Sequence, residues 1–390
     1  MKNIKYLIYL FLGLVIFSCS EKEDENPINR PEQEDILAID NRVQDIMNEF
    51  LFPGLSIAIA ENGRLVYTKA YGLSDVNTGS RVNINSEFRY SSFAKTITGI
   101  AIMQLVEEGK LALDDPVFGE GAILGTEYGS KAYSNRIRNI TVNHLLHHLS
   151  GGWRNFVDDP VFDSPFNLSQ NEMISWGLDN VAQATNPGTT YHYSNFGYVL
   201  LGRVIEKASG MSYEAYVKSE ILDPVGAKNT YLANTSANDK GPNEVSYLAD
   251  DSLDPYTTYN IGRADATAGW VSTPSDVVRI LSAVDQQPNR PTLLSTQSNQ
   301  LRRTPLNNSG NYGKGVYRLA HPDLGNVYWH DGSWPGTQTL SVSIPGNISI
   351  SVAMNSSNYA EYQRSLNFIA GKLFEIVQDE SITFQDIDQF

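Results

Sequence analysis

The sequence predicts an α+β domain whose antiparallel sheet is built from both ends of the chain and whose middle is mostly helical. Near the N-terminus, two apolar runs flank Asn62-Gly63, a pair that favours the type I′ turn of a β-hairpin. Near the C-terminus, two further runs that alternate or are continuously apolar surround Pro345-Gly346. The predicted strands are residues 55–60, 64–68, 327–329, 339–344 and 348–354.

Helical periodicity marks both ends of the domain and its middle. Residues 33–51 carry apolar side chains at helical spacing, and residues 360–378 place theirs on one stripe. We predict one domain over residues 34–380, followed by a tail over residues 381–390. A mostly α-helical subdomain, roughly residues 110–260, is predicted as an insertion in this domain. Further helices are predicted over 97–106, after Thr141, over 196–205 and 212–223, and from Thr273 to about Val284.

Composition narrows the possible functions. The chain has 390 residues, 41% of them hydrophobic, which is ordinary for a globular domain. Its net charge of −15 offers no basic surface for nucleic acid, so no such partner is expected. A single cysteine excludes a disulfide framework. We expect a monomer that needs no cofactor.

The N-terminus resembles a bacterial lipoprotein signal. Two lysines precede the apolar run Tyr6–Phe17, which is too short to span a membrane. The run ends in Ser18-Cys19, which resembles a lipobox. This resemblance implies that residues 1–18 are a signal peptide, that Cys19 is lipidated, and that residues 19–33 form a flexible tether. The expected location is the bacterial cell envelope, either the periplasmic face or the cell surface, with the lipid as membrane anchor.

The first chemical motif is Ser92-Phe93-Ala94-Lys95, which directly precedes a buried helix. Residues three apart share a helix face, so Ser92 and Lys95 are predicted to lie side by side at its N-terminus. A serine needs a nearby base to act as a nucleophile, and a lysine of lowered pKa can supply it. The alternative is a structural one, with Ser92 as a helix cap and Lys95 at the surface.

A Tyr-x-Asn triplet would add a second proton carrier and an amide that binds a substrate carbonyl. The chain contains two, Tyr133-Ser134-Asn135 and Tyr193-Ser194-Asn195. We select the second because it follows Pro187-Gly188 and leads into a strongly apolar helix, which gives the rigid support that a site needs.

The third motif is His330-Asp331-Gly332, at the predicted end of a strand. Gly332 would let a substrate backbone approach, and the N–H of Ser333 could face an oxyanion. The alternative is a simple turn that follows a histidine at the end of a strand.

The sequence lacks the motifs typical of metal-dependent hydrolases and of α/β-hydrolases. His144 and His148 stand one helical turn apart, but the run contains no H-E-x-x-H, so we expect capping and packing histidines and no metal site. The chain contains no G-x-S-x-G, which disfavours an α/β-hydrolase.

The three motifs, in this order, resemble those of the class C β-lactamase, D-Ala-D-Ala carboxypeptidase and penicillin-recognising esterase family of serine hydrolases. The likeness extends from about residue 34 to 378 and includes the residues around Ser150-Gly151 and Ala268-Gly269. It implies a β-lactamase/transpeptidase-like fold and a reaction through an acyl-enzyme.

The resemblance also implies the role of each residue. Ser92 would attack a carbonyl, with Lys95 and Tyr193 sharing the general-base and general-acid work. Asn195 would hold the substrate. The backbone N–H groups of Ser92 and Ser333 would form the oxyanion hole. Which of Lys95 and Tyr193 takes the first proton stays open at this stage.

One departure concerns the substrate. Class C β-lactamases carry Lys-Thr-Gly where this chain has His330-Asp331-Gly332, and the H-x-G form resembles the carboxypeptidase, esterase and D-aminopeptidase members. The expected substrate is therefore a peptide or small molecule with an amide or ester bond, cleaved by a D-Ala-D-Ala carboxypeptidase-like, D-amino-acid peptidase-like or esterase activity. The alternatives are a class C-like β-lactamase and a non-catalytic penicillin-binding or sensing lipoprotein.

Overall fold

The main sheet of the protein interleaves strands from the two ends of the chain. The computed structural model describes residues 33–249 and 253–390, and the predicted signal peptide and Cys19 lie outside them. Within these ranges the main sheet is antiparallel, in the order β3-β2-β1-β10-β9-β8-β7, so β1 pairs with β10 and joins both ends, as predicted. The strands are β1 (Gly54–Glu61), β2 (Arg64–Asp75), β3 (Ser80–Arg81), β4 (Phe88–Arg89), β5 (Tyr231–Leu232), β6 (Trp270–Ser272), β7 (Tyr317–His321), β8 (Gly325–Trp334), β9 (Thr337–Ile344) and β10 (Ile348–Met354).

The N-terminal hairpin has the predicted two-residue turn. Glu61 pairs with Arg64, and both central residues have positive φ, 50° for Asn62 and 76° for Gly63, as a type I′ turn requires. A Cβ at Gly63 would also lie 1.9 Å from Pro288 O, so this position requires glycine on two counts.

Helices cover both faces of the sheet and fill the middle of the chain. The two terminal helices, α1 and α13, pack together on one face, where Ile39, Val43, Ile369 and Leu373 are wholly buried. On the other face α11 packs against β1 and β10. The helices are α1 (Leu37–Phe50), α2 (Ala94–Glu107), α3 (Asn135–Arg138), α4 (Val142–Leu146), α5 (Pro160–Asp163), α6 (Gln170–Asn180), α7 (Asn195–Ser209), α8 (Tyr213–Val217), α9 (Asp223–Val225), α10 (Asp265–Ala268), α11 (Pro274–Val284), α12 (Thr296–Arg303) and α13 (Tyr362–Gln378).

Helix α2 is the central element of the larger hydrophobic core. Eleven of its fourteen residues are buried, and it packs against α7 and α10. The close packing requires Gly99, because a Cβ there would lie 2.5 Å from Lys314 O. The first turn of α2 is consequently fixed from several sides. No helix in the described residues has both the length and the apolarity to cross a bilayer.

Several elements differ from the prediction. The helix predicted over 212–223 is interrupted by a π-helical turn, Lys218–Leu222, before Pro224, which has no N–H for the carbonyl four residues earlier. Strand β8 does not end at His330 but continues to Trp334. Strand β7 and the small sheet β4-β6-β5 were not predicted, since β7 is a mostly exposed edge strand and the others have only two or three residues.

Candidate active site

Ser92 lies in a 3₁₀ turn, Ser91–Phe93, directly before α2. Ser91 has a φ of 44°, an uncommon conformation for a residue with a side chain, and its hydroxyl donates to Ser333 O at 2.6 Å. This hydrogen bond ties the turn to strand β8. Ser92 lines a cavity of about 440 Å³, together with Ser91 and Ser333.

Lys95 is fully buried beneath Ser92 and has three hydrogen-bond acceptors around its amine. Lys95 Nζ lies 3.1 Å from Ser92 Oγ, 2.8 Å from Asn195 Oδ1 and 2.9 Å from Thr267 O. Burial lowers the pKa of Lys95 to about 7, although the negative charges of Asp159 and Asp331 act in the opposite direction. Near neutral pH the amine is therefore present in both protonation states.

The protonation state of Lys95 decides what it does to Ser92. An ammonium donates all three of its hydrogen bonds. A neutral amine donates two, and the two fixed acceptors are Asn195 Oδ1 and Thr267 O. Its lone pair then points at Ser92 Oγ, where it can accept the hydroxyl proton.

Tyr193 lines the cavity beside Ser92, and the Ser92 side chain lies close enough to its phenol to affect the pKa of Tyr193. Its ring centroid is 4.8 Å from Lys95 Nζ. Burial raises the pKa of Tyr193 well above its ordinary value, and the carboxylate of Asp331 raises it further. The phenol is therefore protonated at neutral pH and is available as a proton donor.

Asn195 begins α7 and is fixed on both ends of its amide. Its Oδ1 accepts from Lys95 and from Thr267 Oγ1, the latter at 3.1 Å, and its Nδ2 donates to Asn155 Oδ1 at 2.9 Å. Asn155 and Asn195 both line the cavity. Part of the hydrogen-bonding capacity expected for substrate thus serves to orient Lys95.

Asp159 is a buried carboxylate that the sequence analysis missed. Its oxygens accept from the backbone N–H of Asn195 at 2.7 Å, of Phe196 at 3.2 Å and of Val161 at 3.1 Å. It therefore caps α5 and holds the N-terminus of α7 at the same time. Burial raises its pKa to about 7, against the effect of these N–H groups and of Lys95. The available signal was Asp159-Pro160, a helix cap followed by proline at the first helical position.

His148 is a second residue that sequence reasoning assigned only to packing. Its ring lies 4.2 Å from the ring of Tyr193, centroid to centroid, and its Nδ1 accepts from Ser194 N at 3.1 Å. A neutral ring with Nδ1 as acceptor carries its proton on Nε2, and this buried atom has no partner among the described residues. Burial also lowers the pKa of His148.

The other histidines of the same run do not join His148. The side chain of His144 accepts from Thr141 N and closes a capping box on α4. His148 lies beyond that helix with a φ of 59°, so the helical spacing between the two does not hold. Across the described residues, no group of three His, Cys, Asp or Glu side chains is placed to hold a metal ion.

The structure does not place His330 in the cavity, where the sequence analysis expected a substrate-binding residue. His330 is 2% exposed, its Nδ1 donates to Asp331 O at 2.7 Å, and its Nε2 accepts from the hydroxyl of Tyr312 at 3.1 Å. Burial lowers its pKa to about 4, so the ring is neutral at pH 7. Because side chains alternate along β8, it is Asp331 and Ser333 that face the cavity.

Gly332 is required by the protein's own backbone, and its expected role towards a substrate backbone stays a prediction. A Cβ at this position would lie 2.2 Å from Tyr90 O and 2.6 Å from Thr339 Oγ1. Glycine thus allows β8 to approach the turn that carries Ser92.

Ser333 is placed as an oxyanion donor would need to be. Its carbonyl accepts from Ser91 Oγ, so the N–H of the same residue, which points to the same side of the strand, is directed at the Ser91–Phe93 turn. The Ser92 N–H belongs to that turn, at the start of α2, where helical N–H groups lack acceptors within the helix.

The cavity above Ser92 has a volume of about 440 Å³, and half of its lining residues are aromatic. Asp331 is the one residue with a formally charged side chain among the described residues that line it. The aromatic residues are Phe156, Phe162, Tyr191, Tyr193, Tyr317, Trp329, Trp334, Tyr359 and Tyr362.

The rejected Tyr-x-Asn triplet lies elsewhere. The hydroxyl of Tyr133 donates to Tyr128 O at 2.5 Å, and its ring packs on Phe118 with 5.5 Å between centroids. Ser134 caps α3. None of these residues lines the cavity at Ser92.

Comparisons with known proteins agree with this fold. A family model described as Beta-lactamase matches residues 39–372. Penicillin-binding protein 4* of Bacillus subtilis (strain 168) is 27% identical over 343 residues, which are 80% of this chain and 70% of that protein. The octameric penicillin-binding protein homologue from Pyrococcus abyssi is 27% identical with a TM-score of 0.71, over 88% of this chain and 78% of that one. The D-amino acid amidase from Ochrobactrum anthropi SV3, complexed with D-phenylalanine, shares the fold at 20% identity, with a TM-score of 0.71 over 88% of this chain and 99% of that one.

Proposed function

Because the chain belongs to the Beta-lactamase family and is a serine hydrolase of that fold, we propose that it cleaves an amide or an ester through an acyl-enzyme on Ser92. The observation that carries this proposal is the 3.1 Å contact between Ser92 Oγ and the buried Lys95, whose pKa of about 7 suits a general base at neutral pH. A helix-capping serine and a surface lysine would not need this burial.

Lys95 is the first base in the proposed reaction. Neutral Lys95 accepts the proton of Ser92 while Ser92 Oγ bonds to the substrate carbonyl carbon, and the carbonyl oxygen becomes an oxyanion facing the N–H groups of Ser92 and Ser333. Tyr193 cannot take this first proton readily, since its phenol is protonated well above neutral pH. It is instead the group that donates a proton to the leaving amine or alcohol when the carbonyl reforms.

Deacylation reverses these roles. Tyr193, which has given its proton to the leaving group, accepts a proton from a water molecule that attacks the acyl carbonyl, and protonated Lys95 returns the proton of Ser92 to its Oγ as the acyl bond breaks. Asn195 acts here by orienting the amine of Lys95, with which it shares a 2.8 Å hydrogen bond. Asn195 also lines the cavity, and its second amide N–H is the proposed contact for the substrate.

The proposed substrates are amides or esters of the D-amino-acid peptidase, carboxypeptidase or esterase type. A class C-like β-lactamase is less well supported, because a fixed cation expected for that activity is replaced by the buried, neutral His330. A non-catalytic binding protein is also less well supported, because Lys95 and Tyr193 both remain in contact with Ser92.

The test is intact mass of the protein over time after addition of an activated ester or a β-lactam, with Ser92→Ala as the matched control. An adduct on the unmodified protein alone would show that Ser92 is an activated nucleophile. A β-lactam adduct that persists would favour a peptidase-like site, whereas one that clears within seconds would favour a β-lactamase. No adduct with either probe would contradict the proposal.

Location and assembly are proposed on the sequence alone. We propose that Cys19 is lipidated and anchors the protein in the cell envelope, and that the hydrolase domain is a monomer. Release of a Cys19→Ala variant into the soluble fraction would support the anchor, and its retention in the membrane fraction would contradict it. Light scattering of the soluble domain tests the assembly, for which the octameric Pyrococcus homologue gives the opposite precedent.

A further inference from the structure

Asp331 places a carboxylate inside the cavity that the reaction proposed above does not use. It stands between His330 and Gly332 on β8, and its side chain is 18% exposed. One carboxylate oxygen accepts from the hydroxyl of Tyr362, which itself lines the cavity. This hydrogen bond holds the carboxylate in one orientation on the same wall as Ser333.

The charge of Asp331 is not matched by a cation in the cavity wall. Among the described lining residues there is no lysine, arginine or histidine. His330 Nδ1 lies 3.7 Å from the carboxylate of Asp331, but this nitrogen already donates to Asp331 O and the ring is neutral at pH 7. Lys95 is not a lining residue, and its amine already has three hydrogen-bond acceptors.

The rest of the wall also suits a cation. Tyr317 and Trp329, which line the same cavity, stack with their ring centroids 4.5 Å apart, and Phe156 and Tyr359, also in the lining, meet edge to face at 6.2 Å. The face of an aromatic ring attracts an ammonium group, whereas it offers no similar attraction to an anion. A substrate carboxylate at this place would instead meet the charge of Asp331 in a partly dehydrated setting, where repulsion between like charges is strong.

We propose that Asp331 selects substrates of this hydrolase that carry a positive group, such as the free ammonium of an amino-acid amide, an amino-acid ester or a peptide N-terminus, over substrates with a carboxylate at the same place. The inference rests on the proposed function and deepens it: the carboxylate binds the ammonium while Ser92 attacks the neighbouring carbonyl. Asp331 is thus a specificity residue, and it takes no proton in the reaction.

The inference is tested by binding, on a Ser92→Ala background that cannot turn over. The probes are D-phenylalanine amide, which is a cation, and N-acetyl-D-phenylalanine amide, which is its neutral counterpart, both measured by calorimetry. We expect the cation to bind more tightly. We expect Asp331→Asn to weaken its binding about 10- to 100-fold, the range for a hydrogen bond to a charged group, and to change binding of the neutral amide less than about threefold.

Tyr362→Phe is the matched control, since it removes the phenol that orients Asp331 but keeps the charge. It should retain the preference for the cation. Equal binding of the two amides to the Ser92→Ala protein, which needs no change at Asp331, would overturn the inference, as would an equal loss of both in Asp331→Asn. Failure of the proposed function would show differently, as absence of a Ser92 adduct with a neutral activated ester.

Discussion

The rate of Ser92 acylation by an uncharged ester should follow the titration of Lys95. Burial lowers the pKa of Lys95 from its ordinary 10.5 to about 7, which corresponds to about 5 kcal/mol in favour of the neutral amine. At pH 7 about half of the molecules should therefore hold Lys95 as a base, compared with fewer than about one in a thousand for an exposed lysine.

The acylation rate should rise with pH, because the neutral form of Lys95 is the one that accepts the proton of Ser92. Protonation removes the lone pair that faces Ser92, so the rate falls by about tenfold for each pH unit below 7 and reaches about 1% of its plateau at pH 5. His330, with a pKa of about 4, is neutral over this range and adds no second limb. Asp159, with a pKa of about 7, titrates in the same range as Lys95, so the limb reports the two buried groups together. If Tyr193 were the first base, the limb would lie above pH 10, because its pKa is raised.

The assay is the amount of acylated Ser92 in intact mass spectra, taken at short times after mixing with 4-nitrophenyl acetate between pH 5 and pH 9.5. Ser92→Ala gives the background. Lys95→Arg keeps a cation that does not lose its proton near neutral pH, so its acylation should stay about a thousandfold below the plateau rate of the unmodified protein across this pH range. A limb above pH 9, a rate independent of pH, or an active Lys95→Arg protein would refute the reasoning.

Three further predictions concern the residues that position the site. Gly332→Ala should cost about 2–3 kcal/mol in unfolding free energy and slow acylation, because its Cβ would lie 2.2 Å from Tyr90 O. The control is Gly371→Ala on α13, where a Cβ would have no neighbour within 4 Å and should stabilise the helix slightly. Equal shifts of the melting temperature in the two variants would contradict this prediction. Asp159→Asn replaces one of the two accepting oxygens by an amide NH2, which would face at least one of the three backbone donors. This should cost about 2–4 kcal/mol in denaturant unfolding, and unchanged stability would show that these hydrogen bonds are not needed. His148→Phe leaves Ser194 N without its acceptor and should cost about 1–3 kcal/mol and lower kcat, while unchanged kcat would remove His148 from the support of Tyr193.

Local patterns were enough to predict the elements that each carry a complete signal in one stretch of chain. Asn62-Gly63 gives the hairpin, Thr273-Pro274 gives the start of α11, and the stripe along 362–378 gives the closing helix. Strand β7 has no such signal, because an exposed edge strand needs no apolar face. The two-residue strands β4 and β5 are shorter than any period that a sequence can display.

In the site, the sequence indicated which residues could react but not what surrounds them. Ser92 and Lys95 are three residues apart, so the helix rule brings them together. The acceptors that turn Lys95 into a base, Asn195 and Thr267, come from 100 and 172 residues further along the chain. The sequence also could not show that His330 is buried and that its neighbour Asp331 faces the cavity, because this depends on the register of β8.

Asp159 shows why the supporting residues matter as much as the reacting ones. Its carboxylate holds the N-terminus of α7, this helix presents Asn195, and the amide oxygen of Asn195 fixes one of the two hydrogen bonds that aim the lone pair of neutral Lys95 at Ser92. Each step is a short contact between buried groups, so a shift at the first is passed on to the last instead of being absorbed by solvent. Burial of the Asp159 carboxylate and of the Lys95 amine is costly for stability. The two groups are nevertheless buried here, where Asp159 supports the helix that orients Lys95 as the base for Ser92.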